Sequence, residues 1–282
     1  MISSSLQEIC SLFGQPVAGN PTQFMIEKAF ACHALEWRYL TLDVAPEDLG
    51  DAVRGMRAMG FRGGNVTQPH KTAVVEFLDR LSDAARLMGA VNCIVREERQ
   101  LIGENTDGKG FMQSLGGVID PAGKRVVLLG AGGAARAIGV ELALAGAAAI
   151  TVVNRSAERG QQLVALLNEH TQTPASYAAW EGEFPLPADC ELAVNATSIG
   201  LNDPEARVPI DFSAAAQDLV AADVIASPPD TRFLAEAKAR GAKTLDGLGM
   251  IVNQGAIAFR LWTGIAPDVT VMREAVEEFL SL

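Results

Sequence analysis

The stretch Arg125-Val-Val-Leu-Leu-Gly130-Ala-Gly132-Gly133-Ala-Ala135-Arg136-Ala137 runs from unbroken apolar residues into a glycine turn and then into alanine-rich sequence. Consecutive apolar positions suit a strand covered on both faces, as in a parallel sheet. Glycines allow the tight turn, and Ala134–Ala145 has the composition of a helix. Ala149–Asn154 reads as the next strand and completes a strand–helix–strand unit. Outward from it, Leu192–Asn195, Leu219–Ile225 and Lys243–Leu245 are further strand candidates with helical segments between them. That alternation predicts an α/β chain with a doubly wound parallel sheet.

Upstream, helices and short strands also alternate, which predicts a first α/β unit. Helical spacing covers Pro21–Leu35, and Trp37–Asp43 reads as a strand. Pro46–Met59 reads as a helix closed by Gly60, and Phe61–Val66 as a glycine-flanked strand. Val74–Leu87 has a helical pattern, and Val91–Arg96 with Gln100–Glu104 reads as a hairpin. A new unit starts near Asp107, with Gly110–Leu115 as a linking helix. Met250–Leu261 and Val271–Leu282 are helical, and their apolar faces are expected to pack back on the first unit.

Composition excludes several classes of function. Hydrophobic residues form 49% and charged residues 20% of the 282, enough for sizeable cores. A net charge of −11 argues against nonspecific binding to nucleic acid or anionic membrane. Cys10, Cys32, Cys93 and Cys190 are scattered, which suits reduced thiols and a cytoplasmic location. Met1–Ser11 lacks the basic start and apolar stretch of a signal peptide. His33, His70 and His170 are isolated, so no metal is expected.

The turn at Gly130-x-Gly132-x-x-Ala135 lies between a strand and a helix, the context a dinucleotide fingerprint requires. Gly130, Gly132, Gly133 and Ala134 would bring backbone N–H groups to a pyrophosphate at the helix terminus. At the end of the second strand an NAD site would place a carboxylate for the ribose hydroxyl. Here stand Asn154, Arg155 and Ser156, followed by Arg159, and guanidinium forks suit the extra phosphate of NADP.

Two polar segments complete the chemistry. Asn65-Val-Thr67-Gln-Pro-His70-Lys71 supplies a cationic proton donor, and Asn105-Thr-Asp107-Gly108 supplies a carboxylate. Exchange between an alcohol and a ketone needs a proton carrier at the oxygen, a role Lys71 can fill, with Asp107 orienting it. Together with Gly89-Ala-Val-Asn92, Asn195-Ala-Thr-Ser-Ile-Gly200, Asp246-Gly-Leu-Gly-Met250 and Gln254-Gly-Ala256, these motifs resemble the shikimate/quinate dehydrogenase family over nearly the whole chain.

The resemblance implies a substrate and catalytic domain over residues 1–106, completed by helices in 247–282, and a Rossmann-type NADP domain over 107–246. It implies Lys71 and Asp107 as catalytic residues, with Asn20, Thr22, Thr67, Asn92 and Gln254 toward substrate and Thr197 and Gly249 added to the cofactor site. It further implies reversible hydride transfer between NADP(H) and a ring hydroxyl of shikimate or a close analogue, a place in aromatic amino acid biosynthesis or quinate/shikimate metabolism, and a monomer or homodimer. The alternatives are a paralogue acting on another cyclic polyol or hydroxy acid, quinate- or aminoshikimate-like, and a non-catalytic NADP(H) sensor.

The departures from the family pattern fall at one end of the substrate. The family usually carries a histidine and a Ser-x-Ser pair in its first glycine-proline loop, where this chain has Gly19, Asn20 and Thr22. It usually has a tyrosine where this chain has Ala226, before Ser227-Pro228. In the family those serines and that tyrosine hold the substrate carboxylate. Loss of a phenol hydrogen bond to a charged group costs roughly 1.5–3 kcal/mol.

Overall fold

Strand β1 (Ile9–Gly14) is buried along nearly its whole length and pairs in parallel with β2 (Arg38–Asp43) and β3 (Gly63–Val66). The computed structural model describes residues 6–282. These divide into two units: residues up to Thr106 with Val252–Leu282, and Asp107–Ile251. In the first unit β4 (Arg80–Leu81), β5 (Cys93–Glu97) and β6 (Gln100–Glu104) complete a six-stranded sheet of order β2-β1-β3-β5-β6-β4. The β5–β6 hairpin is antiparallel and joins β3 antiparallel.

Helix α1 (Thr22–Cys32) also protects the sheet edge. The outward N–H groups of Tyr39 and Thr41 on β2 donate to the side chains of Glu27 (2.6 Å) and Gln23 (3.0 Å). An edge strand whose amides are already engaged offers no template for another strand. Helix α2 (Leu49–Met59) follows a single 3-10 turn and ends on Gly60 in the left-handed conformation (φ 76°). Its Val53 and Met56 enter a core with Phe13, Phe61, Val66, Val74 and Ile94.

The continuous helix expected over Val74–Leu87 is not formed. The segment is a 3-10 turn (Ala73–Phe77), then β4, then α3 (Asp83–Met88). Its apolar spacing is helical, but two side chains interrupt it. Asp79 accepts from the Leu101 N–H at 2.7 Å, drawing the chain onto β6, and the Ser82 hydroxyl caps a new helix through the Ala85 N–H.

The second unit opens with α4 (Asp107–Leu115), earlier than the expected Gly110 start. Then come β7 (Arg125–Leu129), α5 (Gly133–Leu144), β8 (Ala149–Asn154), α6 (Ala157–His170), β9 (Ala175–Ala179), β10 (Phe184–Pro185), β11 (Leu192–Asn195), β12 (Ile210–Asp211), β13 (Val220–Asp223), α7 (Arg232–Ala239) and β14 (Lys243–Leu245). Six of the strands form an all-parallel sheet of order β14-β13-β11-β7-β8-β9. The strand order reverses beside β7, where open α/β sheets hold their ligands. Strand β9 escaped the sequence reading because Ala-Ser-Tyr-Ala-Ala shows neither alternation nor an apolar run.

Helix α8 (Leu248–Thr263) starts in the second unit and continues into the first, followed by α9 (Val269–Leu280). Within the first unit the Trp262 indole donates to the Ile94 carbonyl at 2.9 Å, and Phe279 lies 6.0 Å from Phe24. The C-terminal helices therefore do pack on the first hundred residues. No helix among the described residues is long and apolar enough to cross a membrane.

Gly63 is the tightest point of this packing. Its φ is +153°, and an added Cβ would lie 2.1 Å from the Ile94 carbonyl oxygen and 2.7 Å from the Trp262 Nε1. Overpacking and backbone strain each cost about 1–3 kcal/mol. Gly63→Ala is therefore expected to destabilise the first unit by about 3 kcal/mol, read as a lowered urea midpoint followed by tryptophan fluorescence. A midpoint within experimental error of wild type would contradict this packing.

Candidate active site

In the first unit a polar chain runs through an apolar interior. The Tyr39 hydroxyl donates to the Asn65 Oδ1 at 2.7 Å, and the Asn65 amide donates to the Asn92 carbonyl at 3.1 Å. Asn92 and Thr106 engage reciprocally. The Asn92 amide donates to the Thr106 hydroxyl at 3.0 Å, and the Thr106 N–H donates to the Asn92 Oδ1 at 2.7 Å. The Thr106 hydroxyl also lies 3.5 Å from the Gln254 Oε1. All five residues are buried, so each polar atom must find its partner inside the protein.

Lys71 is tied to this cluster through its backbone, its carbonyl accepting from the Val91 N–H at 2.8 Å. Its segment is fixed on the other side by His70, buried with Nε2 2.8 Å from the Val44 carbonyl. Thr67 donates its N–H to Phe13 and accepts from the His70 N–H, both at 2.9 Å. Asp107 follows Thr106 directly, starts α4 and is buried. The structure thus joins Asn92 and Gln254 to residues the sequence did not single out, Tyr39, Asn65 and Thr106, and ties Lys71 to the neighbouring Val91 through its backbone. Thr106 sat inside the quoted aspartate motif, and only its buried partners reveal its part.

Asn20 and Thr22 form a separate pair on the loop before α1. The Asn20 Oδ1 accepts from the Thr22 N–H at 2.9 Å. Gly19 between them and Val17 is left-handed (φ +81°), with open space where a side chain would stand. The loop offers amides and a hydroxyl, with no cation and no phenol.

The second unit shows a cradle at the start of α5. Gly130 (φ +106°) passes so close to the 195–197 turn that a Cβ would sit 3.0 Å from the Ala196 carbonyl oxygen and 3.2 Å from the Thr197 Cγ2. Gly132 and Gly133 differ, since a Cβ on either would meet nothing within 4 Å. Nothing within the unit's own packing demands glycine there, and the open space lies over helix N–H groups without a side-chain cap or an acidic residue in the first turn. Ala134 is half-buried in that turn. Such a cradle fits a pyrophosphate.

At the end of β8 the Asn154 amide donates to the Ser156 carbonyl at 2.9 Å, and the Ser156 hydroxyl caps α6 through the Arg159 N–H at 3.4 Å. Arg155 and Arg159 are exposed and have no ion-pair partner among the described residues. Gly249, in the first turn of α8, is held against Ser114, whose Oγ a Cβ would approach to 2.7 Å. No cluster of metal-ligating side chains occurs among the described residues.

Three family models cover the chain in order: the shikimate dehydrogenase substrate binding domain (12–94), shikimate/quinate 5-dehydrogenase (114–180) and the shikimate 5'-dehydrogenase C-terminal domain (247–277). A shikimate dehydrogenase (NADP(+)) of Desulforamulus reducens is 41% identical over 96% of this chain and 95% of its own. The chain belongs to the shikimate/quinate dehydrogenase family. Among solved structures, shikimate 5-dehydrogenase of Thermus thermophilus in complex with NADP(H) and shikimate is 37% identical, covers 97% of this chain and all of its own, and superposes with a TM-score of 0.85. Ligand-free 5-ketofructose reductase of a Gluconobacter species is 50% identical over 98% of this chain and 99% of its own, with a TM-score of 0.94.

Within this family member the turns beside β7 are tied by a second buried cluster. The Asp223 carboxylate, 1% exposed, accepts from the Asn195 amide at 3.0 Å, the Thr231 hydroxyl at 2.7 Å and the Ile225 N–H at 3.1 Å. Asn195 in turn accepts from the Thr197 hydroxyl at 2.7 Å. Burial pushes the Asp223 carboxyl up from 3.8 to about 6, against the opposing pull of those hydrogen bonds. A carboxyl raised in the folded state contributes stability that is complete below about pH 4 and lost as pH rises through about 6. The span corresponds to roughly 3 kcal/mol. Asp223→Asn is expected to remove this component, so that the wild-type-minus-variant difference in urea stability falls between pH 4 and pH 7. A difference that is flat with pH would show that burial does not raise the Asp223 carboxyl on folding.

Proposed function

We propose that this chain binds NADP and moves hydride reversibly between it and a ring position held as hydroxyl or ketone, the chemistry of shikimate dehydrogenase. The observation that carries this reading is the buried Asn92–Thr106 pair. Its chain neighbours on the two sides are Val91, bonded to the Lys71 carbonyl, and Asp107 itself. A lysine and an aspartate attached to one rigid polar cluster are positioned groups, which a non-catalytic sensor would have no need to keep.

NADPH, when bound, supplies the hydride. Lys71 holds a proton for the ring oxygen as the carbonyl becomes an alcohol, and takes it back in the reverse direction. Its positive charge also favours the alkoxide character developing on that oxygen. Asp107 orients the lysine and accepts from a neighbouring ring hydroxyl. Asn92, Thr67 and Gln254 bind other ring hydroxyls through groups that both donate and accept.

For the cofactor, Gly130, Gly132, Gly133 and Ala134 would cradle the pyrophosphate, and Thr197 and Gly249 would also contact the cofactor. Asn154, Arg155, Ser156 and Arg159 would hold the adenosine ribose and its phosphate. Two unpaired guanidiniums with no carboxylate at the end of β8 favour NADP over NAD. Four free cysteines suit a reducing compartment, and we place the protein's action in the cytoplasm, as a monomer or homodimer.

A second reading concerns the substrate. The loop at Gly19, Asn20 and Thr22 offers no cation, and Ala226 is a buried methyl where the family carries a phenol. Amides and hydroxyls without charge suit an uncharged polyhydroxy ketone better than a carboxylate, because leaving a carboxylate under-paired costs more than leaving a hydroxyl so. The 50% identity to 5-ketofructose reductase favours the same substrate class.

Three measurements test these assignments. Lys71→Ala is expected to lower kcat by about 100-fold or more while NADP binding by fluorescence stays unchanged; full turnover would remove Lys71 from the chemistry. Arg155→Gln with Arg159→Gln should raise the KM for NADPH about tenfold to a hundredfold and leave that for NADH unmoved. With NADPH, kcat/KM for 5-ketofructose is expected to exceed that for 3-dehydroshikimate at least about tenfold, the worth of one missing bond to a charged group. The reverse order would assign shikimate as substrate.

A further inference from the structure

This acidic chain gathers four arginines at one place away from the residues described above. Arg54 and Arg57, three residues apart on α2, join Arg96 in β5 and Arg99 in the turn before β6. With Ala58 they line a cavity of about 420 Å³, and no carboxylate lines it. Arg54 pairs with Asp51, and Arg57 pairs with Asp79 at 2.7 Å while also donating to the Arg99 carbonyl at 2.8 Å. Arg57 is thereby held in place. Arg96 donates from Nε to the Glu98 carbonyl at 2.7 Å, and neither Arg96 nor Arg99 has an ion-pair partner among the described residues. Glu8 and Glu98 line a neighbouring cavity that Arg96 also borders, and Glu8 is engaged by Arg62 at 3.0 Å.

Four guanidiniums brought together repel one another, and two lack the carboxylate that would relieve it. The chain, of net charge −11, has 34 acidic and 23 basic residues, yet every charged residue lining this cavity is an arginine. Long polyanions are disfavoured by the same net charge, which leaves a small, compact dianion. Guanidinium forks match phosphate oxygens bidentately, and here they come from a helix and a hairpin that a bound group would bridge. The volume lies within the usual range for small-molecule sites, about 300–1,000 Å³, and leaves room beside a phosphate group for a body attached to it.

We infer that the cavity between α2 and the β5–β6 hairpin is a binding site for a phosphate monoester of a small metabolite. Occupancy neutralises Arg96 and Arg99 and ties the helix to the hairpin, so it stabilises the first unit by mass action.

The test is calorimetric titration and thermal melting of the full chain with glucose 6-phosphate and with inorganic phosphate. Chloride at matched ionic strength is the control, and each titration is run with and without saturating NADP. The expected result is one saturable site with a Kd below about 1 mM, whether or not NADP is present, and a melting temperature raised by several degrees at saturation. Arg96→Gln with Arg99→Gln should weaken binding at least tenfold, whereas Arg155→Gln should leave it unchanged. Calorimetry at 25 °C on the folded variant separates lost binding from lost stability. Tighter binding of glucose 6-phosphate than of inorganic phosphate supports the monoester. Equal binding of both, binding that survives loss of Arg96 and Arg99, or a shift that chloride reproduces would overturn it.

Discussion

The reciprocal hydrogen bonding of Asn92 with Thr106 is the constraint on which the first unit's chemistry rests. Both residues are buried, and each is held by the other. An unsatisfied buried polar group costs about 1–3 kcal/mol, so the pair and its extensions to Asn65, Tyr39 and Gln254 are held as one arrangement. The Lys71 carbonyl is bonded to Val91, the chain neighbour of Asn92, and Asp107 lies one peptide bond from Thr106. The apolar core fixes the sheet, but this polar chain fixes where reactive groups leave the sheet.

The second unit applies the same logic to a different task. Gly130 brings the turn after β7 against the 195–197 turn, and Asn195 binds that second turn to the one after β13 through Asp223. Glycine is used there for two distinct reasons. At Gly130 the surrounding backbone excludes a side chain, whereas at Gly132 and Gly133 the protein leaves the space open. Only the second kind speaks for a ligand, because internal packing gives no reason for it.

The sequence made the parallel sheet legible because its strands are short apolar runs, and Ala149–Asn154, Leu192–Asn195 and Lys243–Leu245 have the same bounds in the structure. Where side chains override periodicity, it was less legible. Val74–Leu87 carries helical spacing, yet Asp79 and Ser82 divide it by hydrogen bonds that no pattern of hydrophobicity records. Strand β9 is defined by its pairing with β8 rather than by its own residues. The candidate site was legible as motifs in the chain, but Thr106, Tyr39 and Asp223 become visible only through partners distant in sequence. The same holds for the four arginines, which are spread over residues 54–99 and gathered by the fold.

The departures from the family pattern at Gly19, Asn20, Thr22 and Ala226 fall on groups that in the family meet charge. The segment bearing Lys71, the Asn92–Thr106 pair and the glycine cradle are the parts proposed to deal with hydroxyls, a transferred proton and a cofactor, and their motifs resemble those of the family. Gly19, Asn20, Thr22 and Ala226 stand where that pattern places groups for a carboxylate. Hydride transfer to a ring carbonyl depends on the first set and is indifferent to the second, except through binding. In the proposed reading, a cyclic polyol that presents a hydroxyl in place of the carboxylate would meet a donor and an acceptor at Asn20 and Thr22 and would need no cation there. On the proposed assignments, the reaction and the choice of substrate rest on different residues, so the second can vary while the first is kept.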